Sequence, residues 1–321
     1  MCCLFGFLDY GNSFTAKHKN LMLTVLSKEC ELRGTDATGI AYNSHGRLSV
    51  YKRPVPAHRL RYAVPESARY IMGHTRMTTQ GNEKRNYNNH PFAGTVASGH
   101  FALAHNGILH NDERLRKKES LPSTKIQTDS YIAVQLLEQQ KTLDFDSLKY
   151  MAEKVEGSFT FTVLDSRDNL YVVRGNNPFA LYHFPDQGFY LYASTDDILK
   201  KAIEKLGIQK WNREDISLSI GDILRIDRKG KLTRDSFDAT ELYLAWEQMS
   251  WYTRRFPSVY RSVSVYGQGI GISAIETERS YLQELKDIAA CHGLLPEDID
   301  SLLRDGFTYD EIEEMLYTDF V

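Results

Sequence analysis

The chain has 321 residues, 42% of them hydrophobic and 25% charged, with a formal net charge of -3 at pH 7. These are the proportions of a soluble globular protein with a real core. The acidic balance gives no support for nucleic-acid binding, and no apolar run is long enough to span a membrane.

The sequence opens Met1-Cys2-Cys3-Leu4-Phe5-Gly6. Removal of the initiator Met would leave Cys2 with a thiol and a free α-amine on one residue. A thiolate is the working nucleophile, and an α-amine titrating near ~8 is a base within reach of it. The competing reading is a buried cysteine pair opening a hydrophobic strand through Leu4, Phe5, Phe7 and Leu8. The N-terminus lacks the basic region and long apolar core of a secretory signal. The four cysteines, Cys2, Cys3, Cys30 and Cys291, show neither metal spacing nor a disulfide framework, which points to a reducing, cytoplasmic setting. The ten histidines are scattered without a helix-face pair, so neither a metal site nor a cofactor is expected.

Phe14 to Leu32 reads as a helix whose buried face carries Leu21, Val25 and Cys30, with Met22 and Leu26 beside them; Gly34 stops it. Arg33-Gly34-Thr35-Asp36-Ala37-Thr38-Gly39 is a turn into a hairpin that reverses at Asn43-Ser44-His45-Gly46. Pro54 to Pro65 is a loop. Tyr70 to Arg76 is a buried strand ending on an arginine, followed by a polar loop from Thr78 to Asn89. Phe101 to His105 is a short apolar strand running into Asn106-Gly107. Helices are expected over Tyr131–Gln139, with Thr128 or Asp129 as N-cap, and over Phe145–Val155. Hairpins then pair 158–164 with 170–173, 180–184 with 189–193 and 222–227 with 231–234. Thr195-Asp196-Asp197 caps a helix running to Leu206. Helices mixed with antiparallel hairpins mean a layered α+β fold, not a parallel βαβ sheet.

Residues 241–275 interleave Tyr243, Trp246, Trp251, Tyr252, Phe256 and Tyr260 with Arg254, Arg255 and Arg261. Aromatic residues among arginines suit single-stranded nucleic acid, but with an acidic chain the segment is read as packing on the first domain. Residues 276–321 carry three short helices. Their apolar positions are Leu282, Leu285 and Ile288, then Ile299, Leu302 and Leu303 after Pro296, then Ile312, Met315 and Leu316 after a capping box at Thr308–Glu311. The module suits docking or a simple helical core.

Five stretches fall in the order of a known family: Met1-Cys2, Arg33-Gly34-x-Asp36-x-x-Gly39, Gly73-His74-Thr75-Arg76, His105-Asn106-Gly107 and Thr128-Asp129. On these the chain resembles the class II glutamine amidotransferases, members of the N-terminal-nucleophile hydrolases. The likeness covers roughly the first three quarters of the chain. It implies a four-layer αββα sandwich of two mainly antiparallel sheets over residues 1–240; the aromatic, basic linker (241–275) and the small acidic helical extension (276–321) read from the residues match nothing in the family. It also implies that Cys2 attacks the glutamine side-chain amide to form a thioester, releasing ammonia and then glutamate. Asn106 and the Gly107 N–H would stabilise the oxyanion. Arg76 would fork the substrate α-carboxylate, Asp129 would take the α-ammonium, and Met77 and Thr79 would line the substrate. Arg33, Gly34 and His74 would support the site. The chain departs from the family at Cys3, where glycine is usual, and at Met77-Thr78-Thr79-Gln80-Gly81, where Trp-Ala-Thr-His-Gly is common. Cys3 could act as nucleophile only if Cys2 were removed as well. The 241–321 segment is too short for the synthase domains usual in the family, and no Walker-type phosphate loop is present, so the ammonia acceptor is expected either on a partner synthetase or not at all. Two other readings share the scaffold: a hydrolase acting on another γ-glutamyl or amide substrate, and a silent glutamine-binding module.

Overall fold

Strand β1, Cys3–Asp9, sets the architecture of the computed structural model, which describes residues 2–242, 282, 286, 295–304 and 312. All seven residues of β1 are buried. Alternate side chains leave a strand on opposite faces, so burial along its whole length requires cover on both sides. Cys3, Phe5 and Phe7 face one apolar layer, while Leu4 and Leu8 face another.

The strands β2 (Ala37–Ser44), β3 (Arg47–Arg53), β4 (Tyr70–Arg76), β5 (Phe92–Val96), β6 (Gly99–Leu109), β7 (Gly157–Asp165) and β8 (Leu170–Val173) follow. They are joined by β9 (Ala180–Phe184), β10 (Phe189–Ala193), β11 (Glu214–Asp215), β12 (Asp222–Ile226) and β13 (Leu232–Ser236). One sheet runs β11-β9-β10-β1-β4-β2-β3 and the other β13-β12-β8-β7-β6-β5, with antiparallel pairing throughout. The first sheet is covered by α1 (Ala16–Cys30) and α5 (Asp196–Leu206), through Met22, Leu23, Leu26, Ile198 and Leu199. Leu4, Met72, Ala104, Leu164, Tyr192 and Leu224 fill the space between the sheets. On the far side α3 (Tyr131–Gln140) and α4 (Phe145–Lys154) lay Ile132, Leu136, Leu148 and Met151 against Phe159 and Phe161. The order is helix, sheet, sheet, helix. A short helix α2, Asp112–Lys118, follows β6. The chain divides into two compact units, Met1–Leu242 and Tyr243–Val321. In the second, α6 (Pro296–Arg304) buries Ile299, with Leu302 and Leu303 half-buried. The expectations for 243–275, and most of those for the flanking helices, fall outside the described residues. Among the described residues no helix is long and apolar enough to cross a membrane.

The expected hairpins form, and three details differ. Helix α1 buries the face of Met22, Leu23, Leu26 and Cys30, while Leu21 is 52% exposed and Val25 is only half-buried. The turn is set by Lys19, which also lies on the buried side. Neither Thr128 nor Asp129 caps α3; Ser130 occupies that position, without a side-chain cap bond. Strand β5 and helix α2 carry little sequence signal. The first is five residues with Gly94 at its centre, and α2 has a single buried apolar residue, Leu115.

Lys19 and Asp9 form an ion pair at 3.2 Å with both side chains fully buried. Lys19 Nζ also donates to the Glu66 and Ala68 carbonyls, at 2.8 and 2.9 Å, and Asp9 accepts from the Ser13 and Phe14 N–H groups. The pair fastens α1 to the end of β1. Removing one partner strands the other charge, so Lys19→Met is expected to cost about 3–5 kcal/mol. Urea unfolding of the variant beside wild type measures this directly.

Candidate active site

Cys2 sits just before β1, half-buried, with its thiol donating to the Met77 carbonyl at 3.4 Å. The Arg33 Nε–H holds the Cys2 carbonyl at 3.0 Å. Burial raises the Cys2 thiol above its ordinary value, offset in part by the Met77 hydrogen bond and by the field of Arg76. The thiol is therefore held in its protonated form near neutrality. Cys3 points the other way. The pleat sends it into the helix-covered core beside Cys30, fully buried, so it neither crowds Cys2 nor is placed to replace it.

The turn before β2 reaches the same place. The space at Gly34 is closed by the backbone after β4: a Cβ there would lie 2.5 Å from the Arg76 carbonyl carbon. Asp36 then brackets that backbone, its N–H donating to the Arg76 carbonyl at 2.9 Å and its carboxylate accepting the Thr78 N–H at 2.6 Å. Gly34 and Asp36 thus fix the backbone from Arg76 to Thr78, while Arg33 fixes that of Cys2. Met77 is 51% exposed and Thr79 is exposed as well. The buried hydroxyl of this loop belongs to Thr78, whose Oγ1 has no partner among the described residues.

Arg76 is 2% exposed. Its guanidinium donates to Asn89 Oδ1 at 2.7 Å, to the Gln80 carbonyl and to Thr128 Oγ1 at 3.4 Å, all neutral acceptors. No carboxylate lies within ion-pair range of it among the described residues. Lys52 adds a second cation nearby, donating to the Asn89 and Pro91 carbonyls at 2.5 and 3.0 Å. Burial, helped by the Arg76 charge, lowers Lys52 to about 8. A buried guanidinium without a direct ion pair is costly unless an anion joins it. Sequence reasoning did not single out Lys52, Asn88 or Asn89. The Asn88-Asn89 doublet at the end of the polar loop was the available signal, since buried amides tie such loops down.

Asn106 and Gly107 lie inside β6, not in a turn. Gly107 has φ +144, and a Cβ there would lie 1.9 Å from the Ser158 carbonyl oxygen, so no other residue fits. Asn106 is buried; its Nδ2 lies 3.3 Å from Ser194 Oγ, and its Oδ1 has no partner among the described residues. Asp129 is buried and accepts from the Leu109 N–H at 2.7 Å, the Ser130 N–H at 2.8 Å and the Ser130 hydroxyl at 3.1 Å. Cys2, Arg76 and Asp129 lie within one another's electrostatic reach.

Three histidines back this group. His74 Nε2 donates to the His105 carbonyl at 2.9 Å, joining β4 of one sheet to β6 of the other next to Asn106. The His74 and His90 ring centroids are 4.2 Å apart, and His105 stacks on Phe161. Burial lowers all three below their ordinary value, His74 to about 3. Among the described residues no group of three or more His, Cys, Asp or Glu is arranged to hold a metal ion.

Residues 74–201 match a family model described as a glutamine amidotransferase domain. The chain is 31% identical over 186 residues to a glutamine–fructose-6-phosphate aminotransferase (isomerizing) of Bacillus thuringiensis subsp. konkukian, covering 56% of this chain and 30% of the relative. It is 32% identical over 205 residues to the enzyme of that name from Staphylococcus epidermidis, covering 60% and 32%. The chain thus spans about a third of the length of these relatives. In fold it is similar to a glutamine phosphoribosylpyrophosphate amidotransferase from B. subtilis, with a TM-score of 0.58 and 19% identity over 74% of this chain and 49% of that one.

The histidines make stability depend on pH. The unfolded chain takes up a proton at each histidine below about 6.5, and folded His74 refuses one until about 3. Stability is therefore expected to fall as pH drops from 6.5 towards 3, by up to about 1.4 kcal/mol per pH unit for each such histidine. Denaturant unfolding at stepped pH measures the slope, and His74→Gln should flatten it.

Proposed function

We propose that the chain, residues 74–201 of which match a glutamine amidotransferase domain, is a class II glutamine amidotransferase that hydrolyses the side-chain amide of glutamine, with Cys2 as N-terminal nucleophile, and supplies ammonia to an acceptor on a partner protein. The observation that carries this is the meeting of Cys2 with a buried Arg76, whose hydrogen-bond partners are neutral, and the acidic Asp129. A cation and an anion beside one thiol suit the two charged ends of an α-amino acid.

In this reading Met1 is trimmed, and the freed α-amine of Cys2 takes the thiol proton. Arg33 holds the carbonyl of the same residue, which limits how the amine and thiol turn. The thiolate attacks the amide carbon. The resulting oxyanion accepts from Asn106 and from the Gly107 N–H, an interaction typically worth roughly 3 kcal/mol per donor. The carbon–nitrogen bond breaks, the α-amine proton passes to the leaving ammonia, and water hydrolyses the γ-glutamyl thioester to glutamate. Arg76 forks the α-carboxylate. Asp129 takes the α-ammonium; its carboxylate offers about four acceptor sites and keeps capacity beyond its three internal bonds. The Met77 carbonyl and Thr79 line the entrance.

The acceptor belongs to a partner synthetase engaged through residues 241–321, whose aromatic and arginine residues are types enriched at interfaces. A cytoplasmic setting is part of the same proposal. Hydrolysis of a different amide is the weaker reading, because it leaves the Arg76 and Asp129 pairing without a purpose.

The test is intact mass plus glutamine hydrolysis by the purified full chain. Met1 is expected to be absent, glutamate and ammonia to form in equal amounts, and Cys2→Ala to abolish both. Asn106→Ala is expected to lower kcat by about 100- to 1000-fold. Arg76→Lys should act mainly by raising KM, since a lysine cannot fork a carboxylate. Retention of Met1 together with no hydrolysis, partner present, would overturn the proposal.

A further inference from the structure

Ser194 follows β10 and is fully buried. It stands opposite Leu4, two residues after the nucleophile. Its N–H donates to the Leu4 carbonyl at 2.9 Å, as an antiparallel ladder requires. The return bond is different: the Leu4 N–H donates to the Ser194 hydroxyl oxygen at 2.8 Å. A side chain has entered the ladder. The same oxygen lies 3.3 Å from Asn106 Nδ2, on a strand of the other sheet.

We propose that Ser194 is a positioning residue of the amidotransferase reaction. Its hydroxyl ties the strand that starts at the nucleophile to the Asn106 side chain and selects which end of that amide faces Cys2. This rests on the reading given under Proposed function.

A hydroxyl has one proton to give and two lone pairs. One lone pair is used by Leu4. With Asn106 Nδ2 turned to Ser194, the buried Asn106 Oδ1 is left without a partner, and an unsatisfied buried acceptor is costly. The ends of an amide are nearly equal in size, and their assignment follows from the hydrogen bonds they can make. Turned over, Oδ1 accepts the Ser194 proton, and both Nδ2 protons are freed for the oxyanion. The hydroxyl's other neighbour is the Cys3 thiol, a weaker acceptor than an amide oxygen. The proton therefore goes to Asn106. The catalytic amide is set by a residue that does not touch the substrate.

The experiment measures kcat and KM for glutamine hydrolysis by the full chain as wild type, Ser194→Ala, Ser194→Thr, Asn106→Ala and the Ser194→Ala/Asn106→Ala double variant. Alkylation of Cys2 by iodoacetamide, followed by peptide mass, is measured in parallel; that displacement develops no oxyanion. Ser194→Ala is expected to lose about tenfold in kcat, the scale of one ordinary hydrogen bond, with KM little changed. Ser194→Thr should recover most of it, and the double variant should be no slower than Asn106→Ala alone. Cys2 alkylation should hold at the wild-type rate. If Ser194→Ala does not fold, Ser194→Cys keeps the size with a weaker donor and should show the same kcat loss in smaller measure. Unchanged kcat, independent losses in the double variant, or alkylation falling along with kcat would each overturn the role of Ser194 while wild type still cuts glutamine. A wild type that is alkylated at Cys2 but cuts no glutamine overturns the amidotransferase reading and this one together.

Discussion

Strand β1 has no side facing solvent, and that one constraint organises the first 242 residues. A strand covered on both faces needs a helix layer on one and a second sheet on the other. Both are present, and the alternation of Cys3, Phe5 and Phe7 against Leu4 and Leu8 assigns each side chain to its layer. The constraint also fixes the site. Cys2 is the residue just outside the covered stretch, where the strand leaves the core and the thiol meets the Met77 carbonyl. β4, the neighbour of β1, delivers Arg76 at its last position. The face that β1 turns to the second sheet brings β6 near, and with it Asn106. The candidate site gathers where the central strand ends, and the Lys19–Asp9 pair secures the opposite end of that strand.

Most of the strand pattern was legible, because each hairpin is a pair of apolar runs separated by a turn. The bounds of β4, β9 and β10 coincide with those read from the residues. What was not legible depended on long-range pairing. Strand β5 is held by β6 and by α3, not by its own composition. The inner face of α1 is rotated from the one its apolar spacing suggests, because a buried lysine leaves no apolar signal, and only the partner at Asp9 makes its burial tolerable. Asp129 looked like a helix cap, since an acidic residue ahead of an apolar run usually is one. Its carboxylate instead reaches the Leu109 N–H, twenty residues back.

The site residues were legible for a different reason: they came as short words in a fixed order, and the fold gathers those words. Their supports were not. Asn88 and Asn89 bind the polar loop through backbone carbonyls and Gln127, and Asn89 carries Arg76 on its side-chain oxygen. Ser194 sits in a stretch with no motif, and Thr78 in the loop where the chain departs from the family's pattern. A residue that works by holding a backbone atom elsewhere leaves no spacing to read.

Strand β6 has a consequence for the length of what can be bound. Asn106 and Gly107 are on it, and its last residue, Leu109, is hydrogen-bonded to Asp129. The groups proposed for the amide end and the amino end of the substrate are thus fixed to one strand, three residues apart at most. A strand paired along its length barely stretches, so the span between the two is a ruler. An amino acid one methylene shorter than glutamine would engage either end and leave the other unfilled.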